Sequence, residues 1–419
     1  YAPVLGYSSL RILLSIATKL NYDLNQWDVC TAFLNADVQE TIYMKQPEGF
    51  TTPDGKVCKL VKTLYGLKQS PYEWNKLLNS FFIEHGWLRC ISDPCIYRKM
   101  SKTKHIMFTG VFVDDSIAGN SPADRIEFNE FKTLFMKRFK SVDLGEVKQI
   151  LGMIVVLHKG TLFLHQKPYA LKILKTFKML NCKPATTPET LSLVKLLPKE
   201  RIPSKTDTDY EQHRIKMNEF PHSQYLAIVG SVIYLMISTR PDIAHAVHVL
   251  SKYMSNYTDL HLKCAKHLLR YIAGTTDYGL LFKSNGGIIN AGGISHITYP
   301  SHHAISSIST FGMSDANYGG DRESLHGNIK MDYKSVTASL VYIGIKVNKD
   351  ESDEKENADL VIWKSTTQSR IAQSSCESEY MAASKTANQI VWANSLLDEL
   401  SFKQLSPSTL YVDNQAAIA

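Results

Sequence analysis

Apolar and polar positions follow two different periods in the first 155 residues, where strand-like and helical segments alternate. From Tyr72 on, apolar residues recur every three or four positions, which predicts a helix that ends at Gly86. Its apolar stripe comprises Trp74, Leu77, Leu78, Phe81 and Phe82. Two apolar runs, IMFTGVFV and SIAG, flank Asp114 and Asp115. They predict a β-hairpin with two carboxylates at its tip.

The pattern changes beyond Val155. A helix is predicted over YALKILKTFKML, an irregular linker from Lys183 to His222, and a helical block from Ser223 on. Residues 284–310 are again irregular. The last segment, from Phe311, mixes one long helix, Ser378 to Leu400, with the predicted strands SLVYIGI, LVIWKS, SRIAQSS and STLYVD. An α+β fold of several domains is therefore expected.

Length and composition are those of a globular protein. The 419 residues suggest two or three domains, and 44% apolar with 21% charged residues exclude a disordered or collagen-like chain. The longest apolar stretch, Ile228 to Ile237, is about half of what a membrane-spanning helix needs. The N-terminal residues lack the pattern of a secretory signal, so none is expected. The seven cysteines form no CxxC pair, which fits a reducing compartment inside the cell.

Positive charge is concentrated in one part of the chain. The net charge is +7, but the segment from Lys132 to Lys183 holds eleven lysines and arginines against Asp143 and Glu146. Such an excess suits a polyanionic partner. An ordinary solvated surface is the alternative, and charge alone leaves both open.

Asp28 closes the strand-like LNQWDV, and Asp114 and Asp115 lie between two apolar strands. Carboxylates on adjoining strand ends suit Mg²⁺, because a sheet fixes their separation. A pair of aspartates in a hairpin is, however, also common turn chemistry. A zinc site at His261, Cys264 and His267 is not expected, since positions i, i+3 and i+6 of a helix do not face one ion.

Ordered motifs resemble the reverse transcriptase of copia-type LTR retrotransposons. The first part carries QWDVCTAFLNADVQETIYMKQPEGF, LVKTLYGLKQSPYEWNKLL, FVDDSIAG and DLGEVKQILGMIV. The resemblance continues through YLAIVGSVIYLMISTRPDIAHAVHVLS, AKHLLRYIAGTTDYGLLF, SDANYGGD, SSCESEYMAASKTANQIVWANSLLDEL and YVDNQAAIA. It covers nearly the whole chain, with gaps.

The resemblance implies a reverse-transcriptase palm with partial fingers over residues 1–155, a thumb and linker over 156–222 and a helical connection over 223–283. Residues 284–310 would be an insertion or linker. Residues 311–419 would form an incomplete, truncated ribonuclease H-like α/β domain.

The same resemblance makes Asp28, Asp114 and Asp115 the polymerase carboxylates. Phe33 would be the aromatic gate that excludes a 2′-OH, although a core phenylalanine on a strand is the alternative. Gly66 and Lys68 would line the nascent base pair, Lys68 being equally compatible with a plain surface lysine. The basic run after Lys132, with Lys137, Arg138, Lys140 and Lys148, would grip template–primer phosphates as a thumb does.

A second carboxylate set, Asp315, Glu379 and Asp413, would form the two-metal arrangement of ribonuclease H. Glu377 competes with Glu379, which is preferred because the family pattern E-Y-M-A places the acid there. The implied cofactor is Mg²⁺, two ions per site, with Mn²⁺ as an alternative. The implied partners are an RNA template, a DNA primer, dNTPs, RNA–DNA hybrid and other Pol segments, with no membrane, at a cytoplasmic location in a virus-like particle or in the nucleus.

Several positions depart from the family. FVDD replaces YVDD, Cys30 stands where a lysine is usual, and Ala36 replaces a glycine. Extra segments occur at 284–310, Glu323 to Tyr333 and Val347 to Asp359. The chain resembles an internal polyprotein fragment that lacks most of the fingers and the fourth ribonuclease H acid. Two functions are thus expected: an RNA-directed DNA polymerase with ribonuclease H, or a decayed, non-catalytic fragment that at most binds nucleic acid.

Overall fold

The computed structural model describes residues 2–52, 54–158, 160–190, 208, 211–212, 220–254, 257, 259–284, 308–319, 334–345, 358–402 and 407–418. These residues form two compact units. The first contains residues 2–151 with 394–402, and the second contains 152–284, 308–393 and 407–418, within the described ranges. The mixed α/β class is confirmed. The five predicted domain boundaries stay a prediction.

A six-stranded antiparallel sheet organises the first unit, with the order β4-β5-β6-β7-β1-β8. Its strands are β1 (Asp23–Val29), β4 (Leu88–Arg89), β5 (Ile96–Met100), β6 (Ile106–Phe112), β7 (Asp115–Asn120) and β8 (Ser141–Glu146). A separate pair is formed by β2 (Tyr43–Met44) and β3 (Cys58–Lys59). The helices are α1 (Tyr7–Lys19), α2 (Ser70–Glu84) and α3 (Arg125–Arg138).

Aromatic side chains fill the core between this sheet and helices α2 and α3. Trp27 on β1 is fully buried, with its ring centroid 6.2 Å from Phe128 and 5.5 Å from Phe135 of α3. Phe82 of α2 stacks on Tyr97 of β5 at 4.0 Å. Full burial of such a side chain contributes about 1.5–3 kcal/mol. Because side chains alternate along a strand, Asp28 points to the face opposite Trp27.

The second unit begins with strands β10 (Met153–His158) and β11 (Thr161–His165), which β9 (Gln149–Ile150) precedes in the chain. β11 pairs with β10 and with β12 (Gly279–Lys283), both antiparallel. Four helices share one apolar core: α4 (Lys167–Thr176), α5 (Phe220–Ser238), α6 (Ala244–Ser251) and α7 (Asp259–Gly274). No helix of the described residues is long and apolar enough to cross a membrane.

A second sheet of this unit has the order β15-β14-β13-β16. Its strands are β13 (Ile308–Asn317), β14 (Val336–Ile345), β15 (Asp359–Thr367) and β16 (Thr409–Val412), followed by the short α9 (Gln415–Ile418). β13 pairs with β14 antiparallel and with β16 parallel. The long helix α8 (Ser375–Glu399) lies between β15 and β16 in the chain.

One predicted strand is wrong. Residues 369–374 of SRIAQSS form bends and an extended stretch that leads into α8. The Gln373 amide donates to the Glu377 carboxylate at 2.6 Å, and the Ser378 amide donates to the Ser374 carbonyl at 3.1 Å. The local polar groups are therefore used to begin a helix rather than to pair strands. The predicted linker at 183–222 and the three extra segments lie largely outside the described residues.

Candidate active sites

Three aspartates meet at one edge of the first sheet. The register of β1 and β7 places Asp28 directly opposite Asp115, so their Cβ atoms are about 4.5–5.5 Å apart. Asp114 comes directly before Asp115 at the hairpin tip, and its carbonyl accepts a hydrogen bond from the Val29 amide at 2.9 Å. The sheet therefore brings Asp28, Asp114 and Asp115 together at the ends of two neighbouring strands.

The hairpin tip is held in an unusual backbone conformation. Val113 has a φ of 57°, which a β-branched residue rarely adopts. The Trp74 indole of α2 donates to the Val113 carbonyl at 3.0 Å. This contact fixes the turn from outside the hairpin, and with it the direction of the Asp114 side chain.

Tyr65 is a site residue that the sequence analysis did not single out. Its hydroxyl lies 2.9 Å from both carboxylate oxygens of Asp114, and its ring centroid lies 4.5 Å from that of Phe33. The next residue, Gly66, has a φ of 100°, which favours glycine. Tyr65 belongs to the motif LYGLKQSP, which also contains the predicted site residues Gly66 and Lys68. Its place in this motif is the sequence feature that could have identified it.

The three carboxylates create a locally unfavourable negative charge. Burial raises the pKa of Asp114 and of Asp115, and the charge of Asp28 adds to the effect on both. The Tyr65 hydrogen bond opposes the rise at Asp114, and a hydrogen bond with Gln26 opposes it at Asp115. Burial and the neighbouring Asp114 carboxylate raise the pKa of Tyr65 to about 12. A divalent cation would relieve this repulsion, so these residues fit a metal site.

The predicted gate residue, Phe33, lies in a single 3₁₀ turn, Ala32–Asn35. Its side chain is 8% exposed and belongs to the aromatic core, and its carbonyl accepts a hydrogen bond from the Thr63 hydroxyl. Phe33 is thus a core residue, but in a turn rather than on a strand. Its role as a gate stays a prediction. Gly66 and Lys68 lie exposed in the loop before α2.

The four predicted phosphate-binding side chains are all exposed, but they do not form one cluster along the fold. Lys137 and Arg138 are the last two residues of α3. The carbonyl of Lys140 accepts a hydrogen bond from the amide of Cys30 at 2.8 Å, and Cys30 is two residues from Asp28. Lys148 follows the opposite end of β8, where Glu146 pairs with Asn25. All four belong to the first unit.

A second carboxylate cluster lies in the second unit. The parallel pairing of Ser314 with Val412 puts Asp315 and Asp413, the residues that follow them, at the same end of β13 and β16. Glu379 of α8 completes the set, and one carboxylate oxygen from each of the three residues lies within 4.8 Å of the other two. In the part of the chain that is described, Asp28, Asp114 and Asp115 do not converge so closely.

Glu379 is the buried member of this set, at 6% exposure. Its Oε1 accepts a hydrogen bond from the Ala316 amide at 3.1 Å, and its Oε2 has no hydrogen-bond partner among the described residues. Burial raises the pKa of Glu379, and the charges of Asp315 and Asp413 raise it further. A buried, unpartnered carboxylate oxygen facing two acids fits a metal ligand.

Glu377 has a different position from Glu379. Glu377 is exposed, and its carboxylate accepts a hydrogen bond from the Gln373 amide. Its own backbone amide donates to the Ser374 hydroxyl at 3.1 Å. Glu377 therefore stabilises the beginning of α8.

The side chains of His261, Cys264 and His267 on α7 have separate surroundings. His261 is buried with its ring 4.2 Å from Tyr253, Cys264 is buried, and His267 contacts the Thr187 carbonyl at 3.0 Å. Burial lowers the pKa of His261 to about 4.

Comparison with known proteins identifies the family of the chain. The family model "Reverse transcriptase (RNA-dependent DNA polymerase)" matches residues 1–191. The chain is 33% identical to the retrovirus-related Pol polyprotein from transposon TNT 1-94 of Nicotiana tabacum, over 100% of the chain and 28% of that protein. It is 32% identical to the retrovirus-related Pol polyprotein from transposon RE1 of Arabidopsis thaliana, over 100% of the chain and 24% of that protein.

A shorter relative is covered more fully. The chain is 30% identical to the putative transposon Ty5-1 protein of Saccharomyces cerevisiae, over 61% of the chain and 78% of that protein. The chain spans about a quarter of the length of the two plant Pol polyproteins. It belongs to the reverse transcriptase family, in the copia-type branch of retrotransposon Pol polyproteins.

Proposed function

We propose that the chain is an RNA-directed DNA polymerase that extends a DNA primer on an RNA template by two-metal phosphoryl transfer. The observation that carries this proposal is the register that sets Asp28 opposite Asp115, with Asp114 beside them at the hairpin tip. These three side chains would hold two Mg²⁺ ions, or Mn²⁺ in their place. When bound, the ions activate the primer 3′-OH and neutralise charge on the triphosphate.

Other features of the chain hold the three aspartates in position. The sheet fixes the separation of Asp28 and Asp115, and Trp74 holds the turn that directs Asp114. Phe33 would lie under the sugar of the incoming dNTP and exclude a 2′-OH by crowding. Gly66 and Lys68 would line the nascent base pair.

The second cluster would cleave RNA in an RNA–DNA hybrid. Asp315, Glu379 and Asp413 would hold Mg²⁺ there, and the unpartnered Oε2 of Glu379 supports this role. Within the full polyprotein, other Pol segments would act with this region. The site of action would be inside the cell, in cytoplasmic virus-like particles and in the nucleus.

Primer extension on an RNA template tests the polymerase. A DNA primer annealed to RNA should be extended with dNTPs and Mg²⁺ and not after chelation with EDTA. The second candidate, a non-catalytic fragment that binds nucleic acid, is favoured by Cys30 and Ala36 at positions where the family has a lysine and a glycine. Template–primer binding without any extension, by this chain and by one lengthened at both ends, would favour that candidate.

Template–primer affinity should depend on Lys140 more than on Lys148. Lys140 lies beside Cys30 at the aspartate edge of the sheet, whereas Lys148 lies beyond the other end of β8. We expect Lys140→Gln to flatten the plot of log affinity against log salt by about 0.7–0.9 units, the value for one lost phosphate contact. Lys148→Gln is the matched control with a smaller change. Equal slopes for wild type and Lys140→Gln in a fluorescence-anisotropy titration would contradict the prediction.

A further inference from the structure

The hydroxyl of Tyr65 lies symmetrically between the two carboxylate oxygens of Asp114, at 2.9 Å from each. A phenol has one proton, so it donates to one oxygen at a time. An equal distance to both oxygens therefore means that the phenol oxygen takes the position between them. From this position a single atom contacts both carboxylate oxygens of Asp114 at once.

A divalent cation held by both oxygens would need the same place. Mg²⁺ lies about 2.0–2.1 Å from its carboxylate oxygens. A cation that binds both Asp114 oxygens from the direction of the phenol would lie roughly 1 Å from the present phenol oxygen, given the 2.9 Å separations. The two cannot be present together.

We propose that Tyr65 is a positioning residue that occupies the cation position on Asp114 and must move away when a divalent cation binds there. The inference rests on the proposed function, because it takes Asp114 as a metal ligand. Tyr65 thereby lowers the affinity of the site for the cation in the absence of other ligands.

The surroundings of Tyr65 allow this movement. The side chain is 52% exposed, and Gly66, which follows it, has open space within 4 Å on the side where a Cβ would stand. The Tyr65 ring also covers Phe33, with ring centroids 4.5 Å apart. When Tyr65 leaves Asp114, the Phe33 ring becomes more exposed, so cation binding and access to Phe33 are coupled.

Binding of Mn²⁺ alone tests the proposal, measured as the loss of the free-ion signal in electron paramagnetic resonance. The whole chain carries Glu379→Gln in every sample, so that the second cluster contributes little. We expect Tyr65→Phe, which removes the hydroxyl and keeps the ring, to bind Mn²⁺ about ten- to a hundredfold more tightly than the parent, because a hydrogen bond to a charged carboxylate no longer has to be displaced. Tyr72→Phe is the matched control, since Tyr72 is 50% exposed on α2 and should leave the affinity unchanged.

Two further variants make the outcome decisive. Asp114→Asn should abolish high-affinity Mn²⁺ binding, so that the free-ion signal is retained. Circular dichroism should report the same fold for all variants. Unchanged or weaker Mn²⁺ binding by Tyr65→Phe would overturn the proposal, and so would an absence of Asp114-dependent binding in every sample. Tighter binding by Tyr65→Phe together with no primer extension by the wild type would uphold the inference and refute the polymerase function.

Discussion

Asp115→Asn is expected to lower the rate of primer extension about a thousandfold. The asparagine keeps the shape of the side chain but loses the negative charge opposite Asp28. A carboxylate that holds a catalytic cation contributes several kcal/mol to transition-state stabilisation, and about 4 kcal/mol corresponds to a factor of roughly a thousand. Single-turnover extension of an RNA-templated primer at saturating Mg²⁺ measures this rate.

The same substitution is expected to raise the thermal unfolding temperature slightly in the absence of metal. Burial and the charges of Asp28 and Asp114 raise the pKa of Asp115 in the folded chain. An acid whose pKa is raised by folding destabilises the fold once it is ionised, so this effect is absent below pH 4 and develops as the pH rises through the raised pKa. The stability difference between Asp115→Asn and wild type should therefore grow from pH 4 to pH 7.

The combination of lower activity and unchanged or higher stability separates catalysis from folding. Asp54→Asn is the control, because Asp54 is an exposed aspartate of the same unit that pairs with Lys56. It should keep the wild-type extension rate. An Asp115→Asn protein that extends primers at the wild-type rate would remove Asp115 from the proposed machinery.

The elements around the first site were predictable because the two periods of apolar residues differ so clearly. The apolar runs on both sides of Asp114 and Asp115 predicted the hairpin, and the stripe beginning at Trp74 predicted α2, which runs from Ser70 to Glu84. The pairing of Asp28 with Asp115 is a contact between residues 87 positions apart. Composition carries no information on such a contact, and the resemblance to a family supplied it.

Other features depend on packing that a linear pattern does not contain. The basic residues lie close together in sequence, yet Lys140 and Lys148 lie at opposite ends of strand β8. Nothing in the pattern of apolar residues distinguishes Tyr65 from another exposed aromatic residue, and only the folded loop before α2 places it beside Asp114. SRIAQSS was predicted as a strand although only Ile371 and Ala372 are apolar, and helix capping by Glu377 uses its polar groups.

The largest effect in the second unit is expected for Glu379→Gln. Without metal, the wild-type carboxylate is destabilised by burial and by the charges of Asp315 and Asp413, which raise its pKa. The neutral glutamine avoids this penalty, so Glu379→Gln should unfold at a higher temperature than wild type at pH 7. The advantage should disappear as the pH falls below about 4, where glutamate is protonated in both the folded and the unfolded chain.

Added Mn²⁺ should reverse this order of stability. A cation at one hundred times its dissociation constant stabilises the folded state by about 2.7 kcal/mol. Wild type gains that stabilisation through the free Oε2 of Glu379, and the variant largely loses it. Cleavage of an RNA–DNA hybrid, where it occurs, should fall about a thousandfold on the same grounds as for Asp115.

Glu377→Gln is the matched control for this reversal, because Glu377 lies two residues away and contacts the Gln373 amide at the beginning of α8. Its loss of charge near the N-terminus of the helix should cost about 0.3–1 kcal/mol and leave the response to Mn²⁺ intact. Differential scanning fluorimetry of the three proteins, with and without Mn²⁺, distinguishes the two acids in one experiment. If Glu377→Gln loses the stabilisation by Mn²⁺ while Glu379→Gln keeps it, then Glu377 is the metal ligand and the buried Oε2 of Glu379 requires another explanation.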